Sequence, residues 1–144
     1  MPDPLQREAS GSFTAAISTA VVRIMREYTG RGPTRARTSI RDNVVVVVLS
    51  DTMLKAERSL VENGKSEVVL TMRKEFQNTM RRELSAAVEM LTERRVIAFM
   101  SDNHIDPDYA VEVFVLAPEE ADDEPESPAK GESATFGDDY QAGA

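Results

Sequence analysis

Arg35-Ala36-Arg37-Thr38-Ser39-Ile40-Arg41-Asp42-Asn43-Val44-Val45-Val46-Val47-Val48-Leu49 is two strands around one turn. The first half alternates. Asp42-Asn43 supplies the two residues that best tolerate the positive φ angles of a tight hairpin loop. The second half is an unbroken β-branched run, which strongly favours extended backbone. With Asp42-Asn43 as the loop, Arg41 faces Val44, Ser39 faces Val46 and Arg37 faces Val48. These six share one face. Ala36, Thr38, Ile40, Val45, Val47 and Leu49 share the other, which is the natural core side.

Before this hairpin, Phe13, Ala16, Ile17, Ala20, Val21, Ile24, Met25 and Tyr28 recur at spacings of three and four, the face of a helix over 12–28. Ser10 or Ser12 is the expected N-cap. Gly30 is expected to end the helix in a left-handed conformation. Pro33 forbids continuation and biases Gly32 toward an extended form.

After the hairpin, Ser50, Asp51 or Thr52 can cap a short helix through Met53, Leu54, Ala56 and Leu60 that ends near Asn63-Gly64. A long helix follows from about Lys65 to Glu93, with Val69, Met72, Phe76, Met80, Leu84, Ala87 and Leu91 as its apolar stripe. Arg73, Lys74, Gln77, Arg81 and Arg82 fall largely outside that stripe. Val96 to Asp102 and Tyr109 to Leu116 form a second strand pair around a polar loop with Asn103, His104, Asp106 and Pro107. The order is α-β-β-α-α-β-β. Adjacent hairpins, not crossovers, predict an α+β domain: a mainly antiparallel four-stranded sheet with helices on one face.

The 144 residues support one domain with a real core. Net charge is −8, yet residues 118–144 hold nine acids and one base. The stretch 11–117 carries fifteen bases and fourteen acids and is nearly neutral. Residues 1–11 are expected to be flexible. Residues 118–144, rich in acid, Pro and Gly, are expected to be a disordered tail. Within it Phe136 and Tyr140 are the candidate docking residues. There is no Cys, which excludes disulfides, thiolate metal sites and a cysteine nucleophile. No stretch approaches the ~20 apolar residues of a membrane span, and Met1 to Ser12 has no secretory apolar region.

Val44 to Val48 is apolar on both faces, and helices cover only one. A second copy of the chain is therefore the expected cover for Val44, Val46 and Val48, making a homodimer. The bland alternative is a strong strand former shielded by long arginine stems.

No catalytic constellation stands out. His104, the single histidine, lies among Asp102, Asp106 and Asp108. The loop lacks the calcium-loop pattern, and no nucleophile elbow accompanies it. No metal and no cofactor is expected. Gly30-Arg31-Gly32 lacks the length and ending of a phosphate loop. Two readings remain there. Arg31 and the glycine N–H groups hold a small anion such as bicarbonate, a carboxylate or phosphate. Or Arg31 pairs with Glu27 or Asp51 and locks the joint. Arg35, Arg37 and Arg41 raise a nucleic-acid interface, but without interleaved aromatics and with a nearly neutral core this is disfavoured.

Glu27-Tyr28-Thr29-Gly30-Arg31-Gly32-Pro33, the hairpin around Asp42-Asn43, Leu54-Lys55-Ala56-Glu57, the run from Gly64 to Arg73, and Met100-Ser101-Asp102 occur in an order that resembles the MpsC-like domain family. The resemblance covers about 12–117. It marks Gly30, Arg31, Gly32, Pro33 and Asp102 as family-typical positions without giving them a role. Such proteins are described as components of a Na+-translocating membrane-potential-generating system, and some relatives are encoded beside inorganic-carbon uptake systems. The resemblance implies a cytoplasmic accessory or regulatory protein that joins a membrane transport complex. No catalytic residues are implied.

Overall fold

The computed structural model describes residues 4–119, with side chains from residue 11 onward. The elements are α1 (Pro4–Thr29), β1 (Arg35–Arg41), β2 (Val44–Ser50), α2 (Lys55–Glu62), α3 (Ser66–Thr92), β3 (Val96–His104) and β4 (Tyr109–Leu116). This is the predicted order. The strands form one antiparallel sheet in the order β1-β2-β4-β3. The two most apolar strands, β2 and β4, are therefore central. The expected tail residues Phe136 and Tyr140 lie outside the described residues.

The hairpin register is the predicted one, from Arg35 opposite Ser50 to Arg41 opposite Val44. Asp42 takes φ 56°, the left-handed turn conformation. Val45, Val47 and Leu49 are fully buried beneath the helices with Ile17, Val21, Leu84, Val88, Phe114 and Leu116. At about 25 cal/mol per Å2 of apolar surface, each such side chain contributes roughly 1.5–3 kcal/mol. Phe99 and Phe114 pack with ring centroids 5.1 Å apart at 51°. Ser18 and Thr38 share a 2.7 Å hydrogen bond that ties α1 to β1. Tyr28 Oη donates to Glu83 Oε1 at 2.6 Å and ties α1 to α3.

Four local expectations are corrected. First, α1 starts at Pro4, so residues 4–11 are helical and neither Ser10 nor Ser12 is the cap. Proline suits a first helical turn, and Gly11 inside the helix costs only about 1 kcal/mol. Second, α2 is not capped by Ser50, Asp51 or Thr52. Leu54 holds the cap position, and its N–H is satisfied by Glu57 Oε1 at 2.9 Å. Asp51 and Thr52 are engaged elsewhere. Third, Gly32 has φ 77° rather than an extended negative φ. Having no Cβ, it escapes the bias that the following proline places on other residues. Fourth, β3 runs on through His104, two residues beyond its expected end.

Candidate functional site

The corner between α1 and β1 begins at Gly30, with φ 88°, whose N–H closes the helix onto Arg26 O at 2.8 Å. The chain then turns through Gly32, and Arg31 is aimed across to the β2–α2 connection. Its Nη2 donates to Asp51 Oδ2 at 2.9 Å, and its Nη1 to the carbonyls of Asp51 and Met53, both at 3.1 Å. Thr34 Oγ1 donates to the same Asp51 oxygen at 2.8 Å. The Thr34 hydroxyl first, and then Arg31, hold the Asp51 carboxyl below its ordinary value. Asp51 itself sits at φ 53°. Arg58 extends the cluster, 3.5 Å from Asp51 and 4.0 Å from Asp108.

Asp108, at the end of the β3–β4 loop, accepts from Thr52 Oγ1 at 2.6 Å and from Met53 N at 2.9 Å. Thr52 in turn accepts from Arg73 Nη1 at 2.8 Å. Arg73 is the hub of the next layer. It grips both oxygens of Glu57, at 2.8 and 3.0 Å, and also donates to Asn103 Oδ1 at 3.0 Å. The two side chains of this pair are only 11% and 5% exposed. A bidentate grip with further partners is the arrangement in which a buried pair offsets its desolvation cost. It clamps α2, α3 and β3 together.

Beside this clamp lies a cavity of about 60 Å3, walled by Met25, Leu49, Phe76 and Met80, with Arg73 and Glu112 on its lining. Glu112 sits in the middle of β4, opposite Val47 on one side and Ser101 on the other. It is 0% exposed, and among the described residues neither carboxyl oxygen has a hydrogen-bond partner. Burial pushes its pKa up to about 7. The Ser101 hydroxyl tempers that rise without meeting hydrogen-bond geometry.

Among the described residues, no helix lies on the other face of the sheet. Read across the strands from β1 to β3, it is a grid of four rows: Arg41-Val44-Val115-Ala98, Ser39-Val46-Val113-Met100, Arg37-Val48-Val111-Asp102 and Arg35-Ser50-Tyr109-His104. Its two central columns hold six valines, none fully buried. Val48, Met100 and Tyr109 are 37%, 52% and 46% exposed. Among the described residues, no side-chain hydrogen bond or ion pair engages Arg35, Arg37 or Arg41.

The family description "Na+-translocating membrane potential-generating system (MpsC)" matches residues 9–118. The chain belongs to the MpsC family. No curated protein matches it, and no solved structure does. Among the described residues of this MpsC domain, no helix is long and apolar enough to cross a membrane.

The MpsC domain separates the residues singled out in its sequence. Arg31 is at the corner, joined to the β2–α2 connection. Arg35, Arg37 and Arg41 line the outer edge of β1 on the open face, with Val44, Val46 and Val48 beside them. Asp102 and His104 lie on the opposite edge of that same face. His104 is exposed, and its Nδ1 lies 2.8 Å from Pro107 O, so the proton on that nitrogen is donated within the loop. Among the described residues no three His, Cys, Asp or Glu side chains gather as metal ligands would.

Glu112 and the Arg73–Glu57 pair were not picked out from sequence. The signal for Glu112 was present: in Tyr109–Leu116 it falls in step with Ala110, Phe114 and Leu116, all inward. Arg73 falls in step with Val69, Phe76 and Met80 at helical spacing, so it too points inward.

Proposed function

We propose that this MpsC-family chain acts by binding, not catalysis, as a cytoplasmic accessory or regulatory component of a Na+-translocating membrane system. Its working form is a homodimer stacked through the open valine face. The open grid carries this reading: six valines on the central strands, with no helix among the described residues over them, flanked by charge on both edges. Contiguous apolar surface of this kind marks interaction sites. Two sheets stacked about 10 Å apart would remove it from water.

The anion-sensor alternative, centred on Arg31, is less favoured, because three donor contacts of that guanidinium already go to Asp51 and Met53. The nucleic-acid alternative has the arginines of β1 in its favour. Among the described residues, Tyr109 lies on the same face but two strands from β1, and no aromatic side chain stands directly beside the three arginines for bases to stack on.

Sedimentation velocity over roughly 1–100 µM, the range in which modest interfaces associate, tests the reading. The wild-type chain should dimerise, and Val113→Lys, which places a charge at the grid's centre, should remain monomeric and folded. A wild-type chain that stays monomeric throughout would refute the dimer. Co-purification of the dimer with membrane subunits of the translocating system, lost in Val113→Lys, tests the accessory role.

A further inference from the structure

Resting on the homodimer proposed above, we infer that two copies stack about a two-fold axis running parallel to the strands, which pairs Arg37 of each copy with Asp102 of the other.

The charges on the grid select this axis. The β1 edge carries Arg35, Arg37 and Arg41, and the β3 edge carries Asp102 with His104. Both edges are exposed. Two face-to-face arrangements keep strand aligned with strand. A two-fold axis in the interface but perpendicular to the strands lays β1 over β1. The rows then run in reverse, and Arg41 of one copy meets Arg35 of the other. That sets like charges against each other while Asp102 is left without a cation. An axis parallel to the strands lays β1 over β3 and β2 over β4 and keeps every row over itself.

The consequences can be read row by row. Val44 meets Val115, Val46 meets Val113, and Val48 meets Val111, each pair occurring twice by symmetry. Ser39 meets Met100. In the third row Arg37 meets Asp102, the only row whose two ends carry opposite formal charges. Arg35, in the next row, adds a second cation on one side of the same carboxylate, and Ser39 lies on the other.

Sheet twist does not scramble this pairing. Aligned sheets cross at about 30°. The edge strands lie about 7 Å from the axis, at about 4.8 Å between strands. The twist therefore moves an edge residue by about 3–4 Å. Successive same-face rows are about 7 Å apart, so Arg37 stays nearest its own row, and a guanidinium on a flexible stem can span the offset. Four strands by four rows cover roughly 500 Å2 of each copy, or about 1,000 Å2 in all. That is at the lower limit for a specific interface. An association of this size is weak enough for two edge ion pairs to matter.

A charge swap tests the geometry. Arg37→Asp and Asp102→Arg each put like charges together twice per dimer, and each should weaken self-association by about tenfold. Mixing the two variants, or combining both substitutions in one chain, restores opposite charges at both contacts and should recover wild-type affinity. Both sites are exposed, and circular dichroism checks that each variant is folded. If neither swap changes association, or the combination fails to restore it while Val113→Lys still abolishes dimers, the valine-face dimer stands and this axis is overturned. If the wild-type chain is monomeric throughout, the dimer itself falls, and the axis with it.

Discussion

Glu112→Gln should make the protein more stable at pH 8 and leave it nearly unchanged at pH 4. The carboxyl is fully buried, faces the helix layer and has no hydrogen-bond partner among the described residues. Its ionised form has lost water and gained nothing in exchange. Burial moves its pKa from the ordinary 4.5 to about 7. Because the folded value is the higher one, the folded chain holds its proton where the unfolded chain has released it. Stability attached to this group is therefore complete below pH 4.5, declines as pH rises, and is lost by the time pH passes 7. At about 1.4 kcal/mol per pH unit the whole loss is about 3 kcal/mol. Glutamine keeps the shape and cannot ionise, so it avoids that loss. For a domain of this size the gain at pH 8 corresponds to a rise in Tm of roughly 10 °C. Thermal melts of both proteins at half-unit steps from pH 4 to pH 9 give the comparison. Curves that run parallel through this window would show that Glu112 is solvated or partnered in solution, and the argument from burial would fail.

Arg73→Leu should destabilise by about 3–5 kcal/mol in urea unfolding, because it strands the buried Glu57 carboxylate; a loss under about 1 kcal/mol would mean that the pair behaves as a surface pair. Arg73→Leu combined with Glu57→Leu should recover much of the loss. Gly32→Ala should cost more than Gly30→Ala. Both take positive φ, about 1–2 kcal/mol of strain for alanine, but only at Gly32 would a Cβ meet Arg26 Cβ at 3.2 Å and the Val22 carbonyl at 3.4 Å. Equal costs would argue against that close approach. An NMR titration should place the Asp51 midpoint below 3.8, its ordinary value, and Thr34→Val should return it upward. Stability owed to Asp51 is then present above pH 3.8 and lost as pH falls through the lower folded value. A midpoint unmoved by Thr34→Val would remove the hydroxyl as the main cause.

How far the fold could be read depended on whether local signals sufficed. The hairpin at Asp42-Asn43 is determined by two turn residues and the alternation on each side, so its register followed directly. The placement of β4 between β2 and β3 has no local signature. It is set by the α2–α3 connection, which carries the chain from β2 past the place of β4 to β3, and by the need to shelter the most apolar strands. The corner was legible as a turn, but the partner of Arg31 was not. Glu27 and Asp51 were equally available in sequence, and only the path of the β2–α2 connection brings Asp51 to 2.9 Å. Charged residues were read outward by default, which misplaced Arg73 and passed over Glu112. Periodicity says which way a side chain points whatever its chemistry. Where it turns a charge inward, that charge must find a partner, as Arg73 does in Glu57, or change its protonation, as Glu112 does.

The other face of the sheet has the opposite requirement. On β2 and β4 periodicity turns valines outward, where no element of the described chain reaches them. Among the described residues, both long helices are already committed to burying Val45, Val47, Leu49 and Phe114. An unrelated partner would need to match an apolar centre between a basic edge and an acidic one. A second copy, turned over about the strand direction, offers that pattern with no further design: its apolar columns fall on apolar columns, and its acidic edge on the basic edge. In the proposed dimer, the two-sided apolar character of Val44–Val48 is one physical demand expressed twice, once against the helices and once against a second sheet.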